Sequence, residues 1–228
     1  MPDIKMILNY SDLEVYAKEF TDADIAKAIG PVKEPRKYSY IDFYTNSEER
    51  LRNSISEQLE NGIVPTVFIS HKHADLPQLR GLLGLLKHTY GVSVYIDSKD
   101  PSMPRVTSDI TAKRIKAKIR RCDRFILLAT NNAIESKWCN WELGYGDAKK
   151  YKKGISILPL ISDNALSANY KGTEYMRIYP HIAYSPSCGR NEFRGCDDNY
   201  CVYIQTVNGE RKFPLYDWLW YDRHKNLN

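Results

Sequence analysis

Residues 124–143 read RFILLATNNAIESKWCNWEL. The opening run, RFILLAT, is almost unbroken in its apolar character. A strand with one wet face alternates, whereas a parallel strand covered on both faces has no reason to. Polar residues end the run, and Ser136 stands where a helix N-cap belongs. The helix that follows carries Trp138, Cys139, Trp141 and Glu142 within its first two turns. A surface helix has little use for that much aromatic area, and a core helix has little use for a carboxylate. Together they suit the start of a helix that faces a ligand.

Outward from this stretch the same grammar repeats. VPTVFIS (64–70) is a β-branched and aromatic run, and LPQLRGLLGLLKHTYG (76–91) places leucines at helical spacing with a glycine at its end. VSVYID (92–97) is a second strand, SKDPSMPRV (98–106) a two-proline loop, and TSDITAKRIKAKIRRCD (107–123) an amphipathic helix. Its expected apolar face is Ile110, Ile115, Ile119 and Cys122. ISILPLIS (155–162) is the strand after the tryptophan helix. Strand–helix alternation with apolar central strands predicts an α/β fold, an open parallel sheet with helices on both faces. In such sheets ligands sit beyond the carboxyl ends of the strands, so Ser70 to Asp75, Asp97 to Arg105 and Thr130 to Ser136 are the segments to watch. Residues 1–63 hold two further helical patterns, 11–30 and 46–63, and are expected to form an N-terminal helical extension to a domain spanning 64–228.

Composition narrows the classes. The chain has 228 residues, 43% hydrophobic and 27% charged, which excludes disordered and collagen-like classes. No window approaches the roughly 20 apolar residues of a membrane span and no signal peptide opens the chain, so a cytoplasmic protein with no membrane partner is expected. Five cysteines, an odd number, are expected to be reduced thiols. The net charge of +5 suits an anionic ligand. No GxxxxGK[ST] loop is present, and Gly81 and Gly84 fall inside a leucine-rich helix rather than in a phosphate-binding turn.

Two segments carry a family resemblance. VFISHKHAD (67–75) resembles the first box of Toll/interleukin-1 receptor (TIR) domains, and SKWCNWEL (136–143) resembles their third-helix motif. The order of elements matches over 64–165, and residues 166–228 are expected to add the fifth strand and last helix of this flavodoxin-like fold. The likeness is to bacterial members. The loop DSKDPSMPRV lacks the acid and Pro-Gly pattern of receptor TIR domains. The resemblance implies cleavage of the nicotinamide–ribose bond of NAD+ by a glutamate, here Glu142. It also implies self-association through TIR surfaces and, by analogy, a place in anti-phage defence of the Thoeris kind, with a separate effector protein sensing the product.

The chemistry accounts for the residues independently. At helical spacing Trp138, Glu142 and Tyr145 share a face, part aromatic platform and part carboxylate. Nicotinamide in NAD+ is already a cationic leaving group, so its departure needs no general acid. One carboxylate suffices: Glu142, expected to be ionised near neutral pH, accepts from ribose hydroxyls and stabilises the oxocarbenium charge. Ser70, His71, Asp97, Trp138 and Tyr145 are the expected substrate contacts, with Arg105 reaching the pyrophosphate. NAD+ is then the substrate, and no cofactor is required.

Other constellations are given structural roles. His71 and His73 lack partner ligands, and Cys188, Cys196 and Cys201 fit no compact zinc knuckle, so no metal is expected. The basic helix 111–124 and KKYKK (149–153) are solvated faces, and nucleic acid is not an expected partner. Two rival readings stand: a non-catalytic TIR scaffold, favoured if Glu142 lies in a buried salt bridge, and a nucleoside deoxyribosyltransferase-like enzyme.

Overall fold

The computed structural model of the protein describes residues 4–17, 64–97, 108–191, 196–206 and 209–220. In chain order the strands are β1 Leu8–Asn9, β2 Thr66–Ser70, β3 Ser93–Tyr95, β4 Arg124–Ala129, β5 Ile155–Ile161, β6 His181–Asn191, β7 Cys196–Thr206 and β8 Gly209–Pro214. The helices are α1 Tyr10–Ala17, α2 Leu76–Gly84, α3 Asp109–Arg121, α4 Asn131–Ile134, α5 Lys137–Gly154, α6 Thr173–Ile178 and α7 Leu215–Trp220. The sheet order is β3-β2-β4-β5-β6-β7-β8, with β1 added against β5. Strands β3, β2, β4, β5 and β6 pair in parallel, and this order is that of flavodoxin-like sheets. The order reverses between β2 and β4, which opens a crevice at their carboxyl ends.

Two apolar layers explain the unbroken strands. Val67, Ile69, Ile126, Leu128, Leu158 and Leu160 face one layer, shared with α1, α2 and α7. Phe68, Phe125, Leu127, Ala129, Ile155 and Ile157 face the other, under α3, α4 and α5. Successive strand residues point to opposite sides, so a strand covered on both sides must be apolar throughout. The same alternation sends Ser70 to the side of Phe68, beneath α5.

Several expectations need correction. The N-terminal residues described are not an extension: Leu8 pairs with Leu160 and Asn9 with Ile161, while Lys5 bridges Tyr184. This segment therefore fills the fork between β5 and β6, and Leu8 and Leu13 are fully buried in the core. The rest of the first helical pattern and the second pattern (46–63) lie outside the described residues. The tail supplies the fifth parallel strand and a last helix, but β7 and β8 continue it as antiparallel strands. On α3, Ile115, Ile119 and Cys122 are buried while Ile110 is 51% exposed. Ile110 lies five residues before Ile115, about 140° around the helix, and so leaves the stripe. Cys188 and Cys201 are joined as a disulfide across β6 and β7, with Cα atoms 5.8 Å apart. The expectation of reduced thiols fails for this pair because the irregularity of β6 between Tyr184 and Gly189 carries Cys188 within bridging reach of Cys201.

Gly81 and Gly84 serve packing. A Cβ on Gly81 would meet the Leu13 carbonyl oxygen at 2.4 Å, and one on Gly84 the Tyr16 carbonyl oxygen at 2.2 Å. The glycines let α1 and α2 touch backbone to backbone.

Candidate active site

Helix α5 begins where the sequence places it. Ser136 is extended, and its hydroxyl accepts from the Cys139 amide. The cap sets the helix phase, so Cys139 and Leu143 go into the core at 1% and 2% exposure, and Glu142 goes inward with them at 2%. Across the crevice, β2 ends at Ser70, which is fully buried. Ser70 Oγ donates to Glu142 Oε2 at 2.5 Å, joining residues 72 positions apart.

The carboxylate is held in a low-dielectric site. Burial first, then the nearby Asp97 charge, raises the pKa of Glu142 to about 8, against the opposing pull of the Ser70 hydrogen bond and the Trp138 indole. Oε1 is buried and completes no hydrogen bond, so the indole favours the charge from close by without closing a bond to that oxygen. The expectation of an acid readily ionised at neutral pH is therefore corrected: burial and Asp97 shift Glu142 toward its protonated form. Periodicity locates a carboxylate on a face but does not report how dry that face is.

Around it, His71 is buried at 8% exposure, and desolvation pushes its pKa below the ordinary histidine value, against Asp97, the Ile69 backbone and Asp75. Asp97 is half-buried just past β3. The structure thus brings Ser70, His71, Asp97, Trp138 and Glu142 together at the carboxyl ends of β2 and β3. His73 is exposed in the short 3-10 turn His73–Asp75. Arg105 lies outside the described residues.

Trp138 is half-buried and stacks on Trp141 with ring centroids 4.8 Å apart, and Trp141 stacks in turn on Tyr145 at 6.3 Å. Lys116 of α3 lies over Trp141 and Tyr145 at 5.5 and 5.4 Å. Tyr145 thus extends the aromatic face as expected, but its ring is engaged with Trp141, Lys116 and Lys149 rather than standing open. Trp141 is the middle of this ladder, consistent with packing.

Two residues were given no role in the sequence reading. Asp75 is buried at 1% exposure and accepts from Thr130 Oγ1 at 2.5 Å and from Asn132 Nδ2 at 2.9 Å. This ties the loop after β2 to the loop after β4 and stiffens both walls of the crevice. The signal available was a carboxylate and a threonine each just past a strand end. Cys139 is the second: its thiol is raised mainly by burial, and both Glu142 and Ser70 act on it. Among the described residues no group of three or more His, Cys, Asp or Glu is placed to hold a metal ion. No helix among them is long and apolar enough to cross a membrane.

Comparison with known proteins agrees with the geometry. The TIR domain family matches residues 67–184. The "Probable 3' cyclic ADP-D-ribose synthase ThsB'" of Bacillus cereus (strain MSX-D12) is 30% identical over 146 residues, covering 61% of this chain and 74% of that protein. The "Putative cyclic ADP-D-ribose synthase TIR2" of Cytobacillus dafuensis is 25% identical over 107 residues, 46% of this chain and 28% of that one. With more than half its length matched, and with the sheet order and crevice described above, the chain belongs to the TIR domain family.

Proposed function

We propose that the protein cleaves the nicotinamide–ribose bond of NAD+ and releases ADP-ribose or a cyclic ADP-ribose isomer, with Glu142 as the reacting acid. The observation that carries this is a buried carboxylate, bonded to Ser70 and bordered by Trp138, at the switch point of the sheet. Such a group suits a reaction that generates positive charge. The substrate's own nicotinamide cation lowers the pKa of Glu142 as it enters, so the acid gives its proton to solvent on binding, is ionised where its charge is needed, and takes a proton up again once the product leaves. The C1′–N bond then breaks, nicotinamide leaves neutral, and the carboxylate stabilises the oxocarbenium ion in a medium that screens little. Capture by water yields ADP-ribose and a proton; capture by a nucleophile of the same molecule closes a ring.

The names of the two relatives support a cyclising outcome. They also support a role as the signal-producing enzyme of a Thoeris-like defence system with a separate effector, and self-association through TIR surfaces. A buried salt bridge at Glu142 would favour the scaffold reading. Among the described residues the hydrogen-bond partner of Glu142 is a serine, and the charge that acts on it is another carboxylate.

The test is incubation of purified protein with NAD+, with products separated by chromatography and identified by mass. Nicotinamide and an ADP-ribose isomer are expected from the native protein, and Glu142→Gln is expected to turn over at least about 10²-fold more slowly while keeping its fold. A well-folded Gln variant with native activity overturns the assignment. Consumption of deoxynucleosides in place of NAD+ selects the deoxyribosyltransferase reading.

A further inference from the structure

Ser70 has one hydroxyl proton, and the structure commits it. Its Oγ lies 2.5 Å from Glu142 Oε2, so that proton is engaged and a ligand donor or acceptor at Ser70 would have to displace the bond. We infer that Ser70 is not a substrate contact but the positioning residue of the site: it clamps Oε2 and leaves Oε1 as the oxygen that meets the ligand. This rests on the reading of Glu142 as the reacting acid.

The donor and acceptor inventory carries the argument. In the ionised form that the reaction uses, the Glu142 carboxylate offers about four acceptor positions on two oxygens. One is filled by Ser70, while Oε1 is buried and completes no hydrogen bond. A buried acceptor without a donor is costly, and such a group persists where a ligand supplies the missing donors. Ribose hydroxyls are donors of the right kind. The clamp also limits rotation of the carboxylate, which decides which oxygen is left without a donor. Ser70 can do this because it is the last residue of a β-strand buried on both faces, whereas a serine on a loop would move with the loop.

The groups facing Glu142 are Asp97 beyond β3, the Cys139 thiol on its own helix, the Trp138 indole and, next to Ser70 in the chain, His71. Among these, Ser70 and Trp138 favour the ionised form, and burial and Asp97 oppose it. Loss of the clamp therefore has a readout apart from activity.

The experiment follows the Glu142 side-chain carboxyl by carbon-13 NMR across pH in protein labelled at glutamate, with the resonance assigned by its loss in Glu142→Gln. In Ser70→Ala the titration midpoint is expected to rise by about one pH unit, kcat to fall about tenfold and KM to stay within about twofold. Ser70→Cys, a near-isosteric but weaker donor, is expected to fall between the two and serves if the Ala variant does not fold. A midpoint that stays put overturns the inference, whether or not the melting temperature falls. A rise in KM with kcat and the pH profile unchanged also overturns it and returns Ser70 to the substrate contacts. If the native protein leaves NAD+ intact, the functional reading fails, and the carboxyl titration still decides whether Ser70 holds Glu142.

Discussion

Gly81 of α2 and Leu13 of α1 meet with no room for a methyl group between them: a Cβ on the glycine would stand 2.4 Å from the leucine's carbonyl oxygen. Leu13 is itself 1% exposed, so α1 is built against the core. Gly81→Ala should force the helices apart and cost about 1–3 kcal/mol. At this chain length that is a drop in Tm of about 2–4 °C per kcal/mol. Gly144→Ala is the internal contrast. Nothing lies within 4 Å of a Cβ there and the position is exposed on α5, so thermal melts should show no loss, or a gain of about 0.5–1 kcal/mol from helix propensity.

The raised acid makes both activity and stability depend on pH. Turnover needs the carboxylate, so kcat/KM should climb as pH rises and level off above about 8. Stability runs the other way. The folded state holds the Glu142 proton more tightly than the unfolded chain does, so its contribution is fully present below pH 4.5 and is lost as pH rises through about 8. Glu142→Gln cannot ionise and should therefore gain Tm relative to the native protein, with the gain growing between pH 5 and 9. Scanning calorimetry at several pH values checks this, and a Gln variant that is less stable at pH 9 contradicts a buried, proton-holding acid.

Trp138 stacks on Trp141, a contact worth about 0.5–1.5 kcal/mol beyond its area. Trp138→Ala should raise KM severalfold or change the ratio of hydrolysed to cyclised product, and Trp138→Phe should do less. Steady-state kinetics with product quantification reads this. A loss of about 3–5 kcal/mol with KM unchanged would mark the residue as a core wedge instead.

The Cys188–Cys201 bridge closes a loop of sequence separation 13. Non-reducing peptide mapping of protein kept from reductant should recover the 188–201 linked pair. Reduction, or Cys188→Ser, should lower stability by about 2–3 kcal/mol. Mapping that finds both thiols alkylatable in oxidised protein would contradict the pairing.

Self-association predicts a specific activity that rises with protein concentration. Arg105→Ala, in the loop after β3, should suppress that rise with little change in Tm. Initial rates across a dilution series, paired with light scattering, check it. A constant rate from a monomer throughout shows a site complete in one chain.

Much of the architecture was legible in residues 64–162 because it rests on local periodicity. The unbroken apolar runs of β4 and β5, the leucine spacing of α2 and the Ser136 cap of α5 are written within a few residues of where they act. Glu142 stood out for the same reason, as a carboxylate in phase with buried neighbours. Ile110 misled because it sits one position out of a stripe that a short window cannot resolve. The strand at Leu8–Asn9 was not legible, since two residues carry no period and their partner lies in β5.

By itself, then, the sequence determined the alternation of strands and helices across 64–162 and the strand end at which the acid sits. Tertiary structure alone decided that Ser70 bonds Glu142 from 72 residues away, and that burial and the Asp97 charge raise the pKa of the acid. It also decided that two of the cysteines pair. The physical reason is one of range. Backbone periodicity is set by neighbours three or four residues apart, whereas a hydrogen bond between distant side chains, a desolvation penalty or a disulfide depends on what the folded chain packs opposite, which no local window contains.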